Sequence, residues 1–201
     1  MKTVIGIDEV GRGPLAGPVT VCAVYLKDEI LFKNIIFNQT IRDSKKLKKD
    51  TRIKIIKTIR KNSKLKNAIF YSLSSRSAKH IDKYGINNSI KSCIKSCIKN
   101  LDKKGVDTKS INIQLDGGLY LEKTFNNQKT YIKGDEKLTS IAIASIIAKV
   151  FRDSRMEKLA KKYPAYFWDK NSGYGTKEHL KAIKEIGLTE YHRRSFLKKY
   201  I

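Results

Sequence analysis

The chain has 201 residues, 40% of them apolar, which suits one compact domain and excludes a disordered chain. Lysine and arginine number 43 against 19 aspartates and glutamates, a formal net charge of +24 that favours a polyanionic partner, although a lysine- and asparagine-rich composition would by itself produce part of it. No run approaches the ~20 apolar residues of a membrane span.

Residues 3–8 read as a short apolar strand rather than a secretion signal, and they lead into a glycine-rich turn at Gly11-Arg12-Gly13. Val19–Leu26 is almost wholly apolar, the pattern of a strand covered on both faces. Residues 48–61 alternate basic residues with Ile53, Ile55, Ile56 and Ile59 and predict a helix, and residues 68–73 predict a third strand. Over residues 87–101, Ile90, Cys93, Ile94, Cys97, Ile98 and Leu101 recur at helical spacing and form one stripe opposite lysines. The thiols of Cys22, Cys93 and Cys97 sit in apolar settings with no set of metal-binding partners nearby, so they are expected to be reduced and buried, in a cytoplasmic protein.

Residues 111–116 predict a strand ending on Asp116, and residues 129–133 another. Residues 139–161 predict a long helix capped by Thr139 or Ser140, with a buried first half and a basic, exposed second half. Tyr163-Pro164 ends it. A turn at Gly173-Tyr174-Gly175 and a helix over residues 176–186, closed by Gly187, complete the chain's readable pattern. The mixture of strands and helices predicts an α/β sheet layered with helices, followed by a small basic helical lobe that could close over a groove.

In so cationic a chain, carboxylates at strand ends carry information. Asp8 and Glu9 end the first strand, Asp116 ends a later one, and Asp135 precedes the long helix. Hard divalent cations take oxygen ligands, and a pair of such ions on three or four carboxylates can drive phosphodiester hydrolysis. The alternative is that these acids cap helices or pair with surface lysines, and spacing does not establish that they converge. Adjacent strand residues point to opposite faces, so Asp8 and Glu9 share a site only if the pleat breaks at Glu9.

The turn Gly11-Arg12-Gly13-Pro14-Leu15-Ala16-Gly17 is a poor match to the dinucleotide fingerprint, because its third glycine falls one residue late, Pro14 interrupts the helix start, and Asp8-Glu9 would oppose a pyrophosphate. Glycines here also let backbone groups approach a ligand, including the 2′-hydroxyl that separates RNA from DNA, with Arg12 near a phosphate.

Seven stretches occur together in one order. They are residues 6–18 (GIDEVGRGPLAGP), 43–47 (DSKKL), 115–117 (LDG), 133–137 (KGDEK), 144–153 (ASIIAKVFRD), 173–179 (GYGTKEH) and 192–196 (HRRSF). In these the chain resembles the ribonuclease HII family over nearly its whole length. The resemblance implies a ribonuclease H-like mixed sheet flanked by helices (residues 1–162) with a C-terminal helical, substrate-binding region (residues 163–201). It implies an endoribonuclease that hydrolyses the RNA strand of RNA–DNA hybrids and cuts 5′ of ribonucleotides embedded in DNA, with magnesium or manganese, two ions during catalysis. Asp8, Glu9, Asp116 and Asp135 are the implied metal-binding residues, with Glu136 an alternative to Asp135. Gly11, Arg12 and Gly13 are the implied readers of the 2′-hydroxyl, Tyr174 the residue against the sugar at the RNA–DNA junction, and Lys45 and Lys46 phosphate contacts. The implied protein is a monomer with no membrane partner. The rival reading from composition alone is a non-catalytic basic nucleic-acid-binding protein.

Other candidates divide less sharply. His179 reads as structural, and Asp153 as the ion-pair partner of Arg152. Trp168 either packs the lobe or stacks near substrate, and His192-Arg193-Arg194 is either a phosphate contact or a solvated surface.

Overall fold

The computed structural model describes residues 3–36, 47–66 and 68–200. Along the chain come β1 (Val4–Val10), β2 (Val19–Leu26), α1 (Glu29–Ile36), α2 (Lys49–Lys61), α3 (Ser63–Lys66), β3 (Ile69–Arg76), α4 (Ala78–Tyr84) and α5 (Ile86–Asp102). There follow β4 (Asn112–Asp116), β5 (Gln128–Tyr131), α6 (Gly134–Lys137), α7 (Thr139–Lys162), a 3-10 turn (Pro164–Tyr166), α8 (Trp168–Asn171), α9 (Lys177–Ile186) and α10 (Arg194–Leu197).

The five strands form one mixed sheet in the order β3-β2-β1-β4-β5. The pairs β1–β2 and β2–β3 are antiparallel, while β1–β4 and β4–β5 are parallel. Helices cover both faces, which is why β2 shows no polar alternation. On one face, Ile5, Ile7, Val21, Ala23, Ile113 and Leu115 pack against the α5 stripe, and all six of its expected residues are buried. On the other, Val4, Cys22, Val24 and Leu26 meet α7 through Ile143, Ala144, Ile146, Ile147 and Ala148, with Ile55 and Ile59 of α2 alongside. Fully burying each such isoleucine contributes roughly 1.5–3 kcal/mol. The three cysteines are buried within these layers, as the apolar settings predict.

Two expectations about α7 change. Its N-cap is Leu138, in an extended conformation and without a side-chain cap, rather than Thr139 or Ser140. The first turn is pressed onto the sheet, so the Ser140 hydroxyl donates inward to the Gln114 side chain instead. Its second half is not wholly exposed: Arg152, Met156 and Ala160 are buried at four-residue intervals. That stripe is covered by the C-terminal segment, joining Leu15, Ala16, Tyr166, Trp168, Ala182, Ile183 and Leu197 in a third apolar cluster. Trp168 is fully buried there, which decides in favour of packing. Among the described residues no helix is long and apolar enough to cross a membrane.

The contact between β1 and α7 is unusually close at Gly6. A Cβ built there would lie 2.3 Å from the carbonyl carbon of Ser140 and 2.6 Å from the amide nitrogen of Ile141, both backbone atoms. The helix cannot yield without lifting its buried face from the sheet. Gly6→Ala is therefore expected to destabilise the fold by about 3 kcal/mol, the upper end for overpacking; urea denaturation measures it, and a loss below about 0.5 kcal/mol would show that the two layers slide freely.

Candidate active site

The parallel ladder between β1 and β4 ends at Ile7↔Leu115. The next residues on these neighbouring strands are Asp8 and Asp116, and strand alternation places both on the α7 face. Glu9 belongs to the opposite face, toward α5. The pleat does not break, for β1 stays in register with β2 through Val10↔Thr20. Asp8 and Glu9 nevertheless line one cavity of about 330 Å³, because it lies beyond the end of the parallel pair and is open to both faces. The expectation of a broken pleat is thus wrong, and a strand end does the same work.

Asp116 also lines this cavity, with Gly11, Arg12, Gly13 and Tyr174. Asp8 is 4% exposed. Burial, then the charges of Glu9 and Asp116, push its carboxyl well above the usual range, against hydrogen bonds from Ser145 and the Glu9 amide. Burial raises Glu9 as well, opposed by Arg12, whose guanidinium lies 3.5 Å from Glu9 Oε1. Three carboxylates line this cavity, and the ionised forms of Asp8 and Glu9 are disfavoured; oxygen donors of this kind suit a hard cation, which would relieve the repulsion. Among the described residues no three His, Cys, Asp or Glu side chains stand close enough together to hold a metal ion, so the carboxylates share the cavity without being drawn to one point.

Asp135 does not line the cavity. It is buried in α6, and its neighbour Gly134 donates an N–H to Asp116 Oδ1 at 2.6 Å. Glu136 lies 4.0 Å from the Lys133 ammonium. Lys45 and Lys46 lie outside the described residues.

Two cations in the cavity, Arg52 and Lys149, were not singled out by sequence. Lys149 donates to Asp153 Oδ1 at 2.7 Å, and Arg52 lies 3.9 Å from Asp153 Oδ2 while donating to the Leu47 carbonyl at 2.6 Å. Asp153 therefore serves these two and not Arg152, since successive residues of a helix do not face one another. Charge alone gave no means of separating Arg52 and Lys149 from the chain's many surface cations.

The glycine turn is held from below by two buried arginines. Arg193 donates from Nε to the Gly17 carbonyl at 3.0 Å, from Nη1 to Arg12 at 3.0 Å and from Nη2 to Gly11 at 2.6 Å. Arg152 donates to the carbonyls of Pro18, Ala16 and Ser172 at 2.9, 3.2 and 3.0 Å. Both readings of His192-Arg193 as surface are overturned: the two residues are buried, because backbone carbonyls satisfy the guanidinium where a carboxylate would normally be needed. Arg194 remains exposed. Gly11 is a glycine for an internal reason: its φ is +86°, and a Cβ would meet Arg152 Nε at 2.2 Å. A Cβ on Gly13 would stand 3.6 Å from the Tyr174 ring, so turn and tyrosine are neighbours on the cavity wall.

Tyr174 is positioned by a chain of buried rings. His179 Nδ1 lies 2.8 Å from the Tyr174 carbonyl, its Nε2 accepts from Trp168 Nε1 at 3.0 Å, and His192 Nε2 follows at 3.2 Å. His179 is structural, as expected.

A mixed sheet covered by helices, with carboxylates converging at the end of its central parallel pair, defines a nuclease of the ribonuclease H-like fold class. The model of the ribonuclease HII family matches residues 5–199. The ribonuclease HII of Clostridium perfringens strain SM101 is 46% identical over 206 residues, covering 100% of this chain and 68% of the relative. That of Pelagibacter ubique is 42% identical over 196 residues, covering 98% and 96%. The crystal structure of ribonuclease H2 from Pyrococcus horikoshii OT3 superimposes with a TM-score of 0.68 at 26% identity, covering 98% and 96% of the two chains. The chain belongs to the ribonuclease HII family and is a hydrolase, an endonuclease of the ribonuclease H kind.

Burial, then the neighbouring His179, lowers the pKa of His192 to about 4. The folded state thus holds His192 neutral while the unfolded chain protonates near pH ~6.5. Its contribution to stability is complete above that pH and is lost as pH falls toward about 4. The stability difference between the protein and a His192→Gln variant, from urea denaturation, should shrink by roughly 1–2 kcal/mol between about pH 7 and about pH 5; a difference independent of pH would mean that the histidine pair is not held neutral.

Proposed function

We propose that the protein cuts the RNA strand of RNA–DNA hybrids and nicks duplex DNA on the 5′ side of an embedded ribonucleotide, leaving 3′-hydroxyl and 5′-phosphate ends. The observation that carries the reading is the convergence of Asp8, Glu9 and Asp116 in one cavity with the glycine turn and Tyr174, on a chain of formal charge +24. Acids gathered in one cavity of so cationic a chain have a specific task.

Asp8 and Asp116 would hold divalent cations, magnesium or manganese, from the α7 face and Glu9 from the other, with Asp135 the fourth donor beside Gly134. Two such ions, when bound, supply activation of the attacking water and neutralisation of charge on the scissile phosphate. The chain's own residues do the rest. Arg52 and Lys149 place positive charge on the cavity wall, where non-bridging phosphate oxygens would lie. Backbone groups of Gly11–Gly13 read the 2′-hydroxyl, Arg12 holds an adjacent phosphate, and the half-exposed Tyr174 ring packs against the sugar at the junction. Residues 163–201 act as the substrate-binding region, since they supply Tyr174 and the arginine under the turn. Lys45 and Lys46 are further phosphate contacts, and the protein works as a cytoplasmic monomer.

The test is incubation with a labelled DNA duplex containing one ribonucleotide, with and without magnesium or manganese: metal-dependent nicking 5′ of that nucleotide is expected. Asp116→Asn should lower turnover at least about a hundredfold, the loss usual for a charge acting on the transition state, while metal-free duplex binding holds or tightens because one repulsive charge is gone. Normal cutting by that variant would displace the site. Tyr174→Ala should slow cleavage at an isolated ribonucleotide by about tenfold or more, as a positioning contact would, and an unchanged rate would remove its role.

A further inference from the structure

Arg12 lines two cavities. Besides the carboxylate cavity it borders an open trough of about 110 Å³ on the α5 side of the sheet. Arg12, Asn87 and Lys91 form one wall; Gly118, Leu119 and Tyr120, which follow β4, form the other, and no acid lines it. The Arg12 Nη2 donates to Asn87 Oδ1 at 2.8 Å, which fixes the guanidinium across the mouth between the two cavities. Asn87 and Lys91 stand four apart on α5, on one helix face and ~6 Å apart along its axis. The Lys91 ammonium lies 4.7 Å from the centroid of the Tyr120 ring, yet Tyr120 remains 55% exposed.

An exposed aromatic ring beside an ammonium that has no carboxylate partner among the described residues, in a groove that no described acid lines, is the pairing by which proteins hold nucleic-acid strands: the cation meets a phosphate and the ring meets a base or sugar face. The cationic stretch has a definite end, for past Lys91 the acids return and Lys95 lies 3.3 Å from Glu122 Oε1. Continuity through Arg12 selects the occupant, because a strand whose phosphate sits at the carboxylates runs directly into the trough. We propose that this trough is a second nucleic-acid subsite, in which Lys91 and Tyr120 hold the substrate to one side of the cleavage point. This rests on the catalytic reading above.

Duplexes carrying one ribonucleotide would be shortened stepwise on one side or the other. Binding is read by fluorescence anisotropy in chelator, and KM and kcat by cleavage with magnesium. Tyr120→Ala and Lys91→Ala are each expected to weaken binding of the full duplex about fivefold or more, with the effect in KM rather than kcat. Once truncation on one side removes the nucleotide that reaches the trough, the protein and its variants should converge, since the lost contact is no longer available to either. Lys91→Ala should also flatten the dependence of log affinity on log salt by about 0.9, one phosphate contact, whereas Tyr120→Ala should leave that slope in place. Lys64→Ala, at an exposed lysine on α3, serves as the charge-matched control.

Equal affinity and an equal salt slope for Lys91→Ala and the parent would overturn the subsite and leave the trough to another class of ligand, such as an acidic peptide. A loss of affinity identical on full and truncated duplexes would overturn it too, as a general effect of charge or folding. Because binding is measured without metal, failure of the protein to cut at all would count against the carboxylate reading and not against this one.

Discussion

Two buried guanidiniums tie the glycine turn after β1 to the C-terminal segment beside the carboxylate cavity. Arg193 spreads three hydrogen bonds over backbone carbonyls of the turn that follows β1, and Arg152 makes two more to that turn and a third to the carbonyl of Ser172 in the C-terminal segment. A buried cation is normally tolerated beside a carboxylate, but here carbonyl dipoles supply the negative potential. Burial, then Arg152, lowers the Arg193 pKa to about 9, which still leaves it charged at neutral pH. Arginine suits the position, since a planar fork of donors can reach several carbonyls that a lysine ammonium would have to choose between.

That arrangement explains several other choices in the sequence. Gly11 accommodates the Arg152 side chain, so a glycine that looks like a ligand-binding feature is first a packing feature. The backbone of the same turn is tied to the C-terminal segment directly: Leu15 and Ala16 donate to the Gly173 carbonyl, Gly17 to Tyr191, and Arg193 back to Leu15. Tyr174, next to Gly173, is thereby fixed beside Gly13. The cavity is thus assembled by three independent anchors: strand ends for the acids, α7 for Lys149, and the arginine-bound turn for the tyrosine.

How much of this was legible in the sequence follows from the range of the interactions. The α5 stripe and the unbroken apolar run of β2 were readable because periodicity records which faces are covered. The acids at the ends of β1 and β4 were readable as strand ends, but their meeting depends on β4 pairing with β1 across a hundred residues, and no local pattern encodes that. The buried Arg152, Met156 and Ala160 were mistaken for an exposed half-helix because their cover arrives from a distant segment. His192 and Arg193 were misread for a related reason: a basic pair looks solvated unless the carbonyls that bury it are known. Arg52 and Lys149 were invisible among the other cations, and Asp135, adjacent in sequence to the residue that holds Asp116, is not among the residues lining the cavity.

The bond from Arg193 to Gly11 joins residues 182 apart. A protein emerges from the ribosome amino-terminus first, and its early elements can pack as they appear. The turn after β1 is made early, but the side chain that locks it is synthesised 182 residues after Gly11. Closing a loop of that length carries an entropic penalty that must be met by the late contacts themselves. The sheet can therefore form on a nascent chain while the turn beside the carboxylates stays loose. The final shape of that turn waits on residues near 193, so a chain not yet grown that far carries the carboxylates beside an unanchored cavity wall.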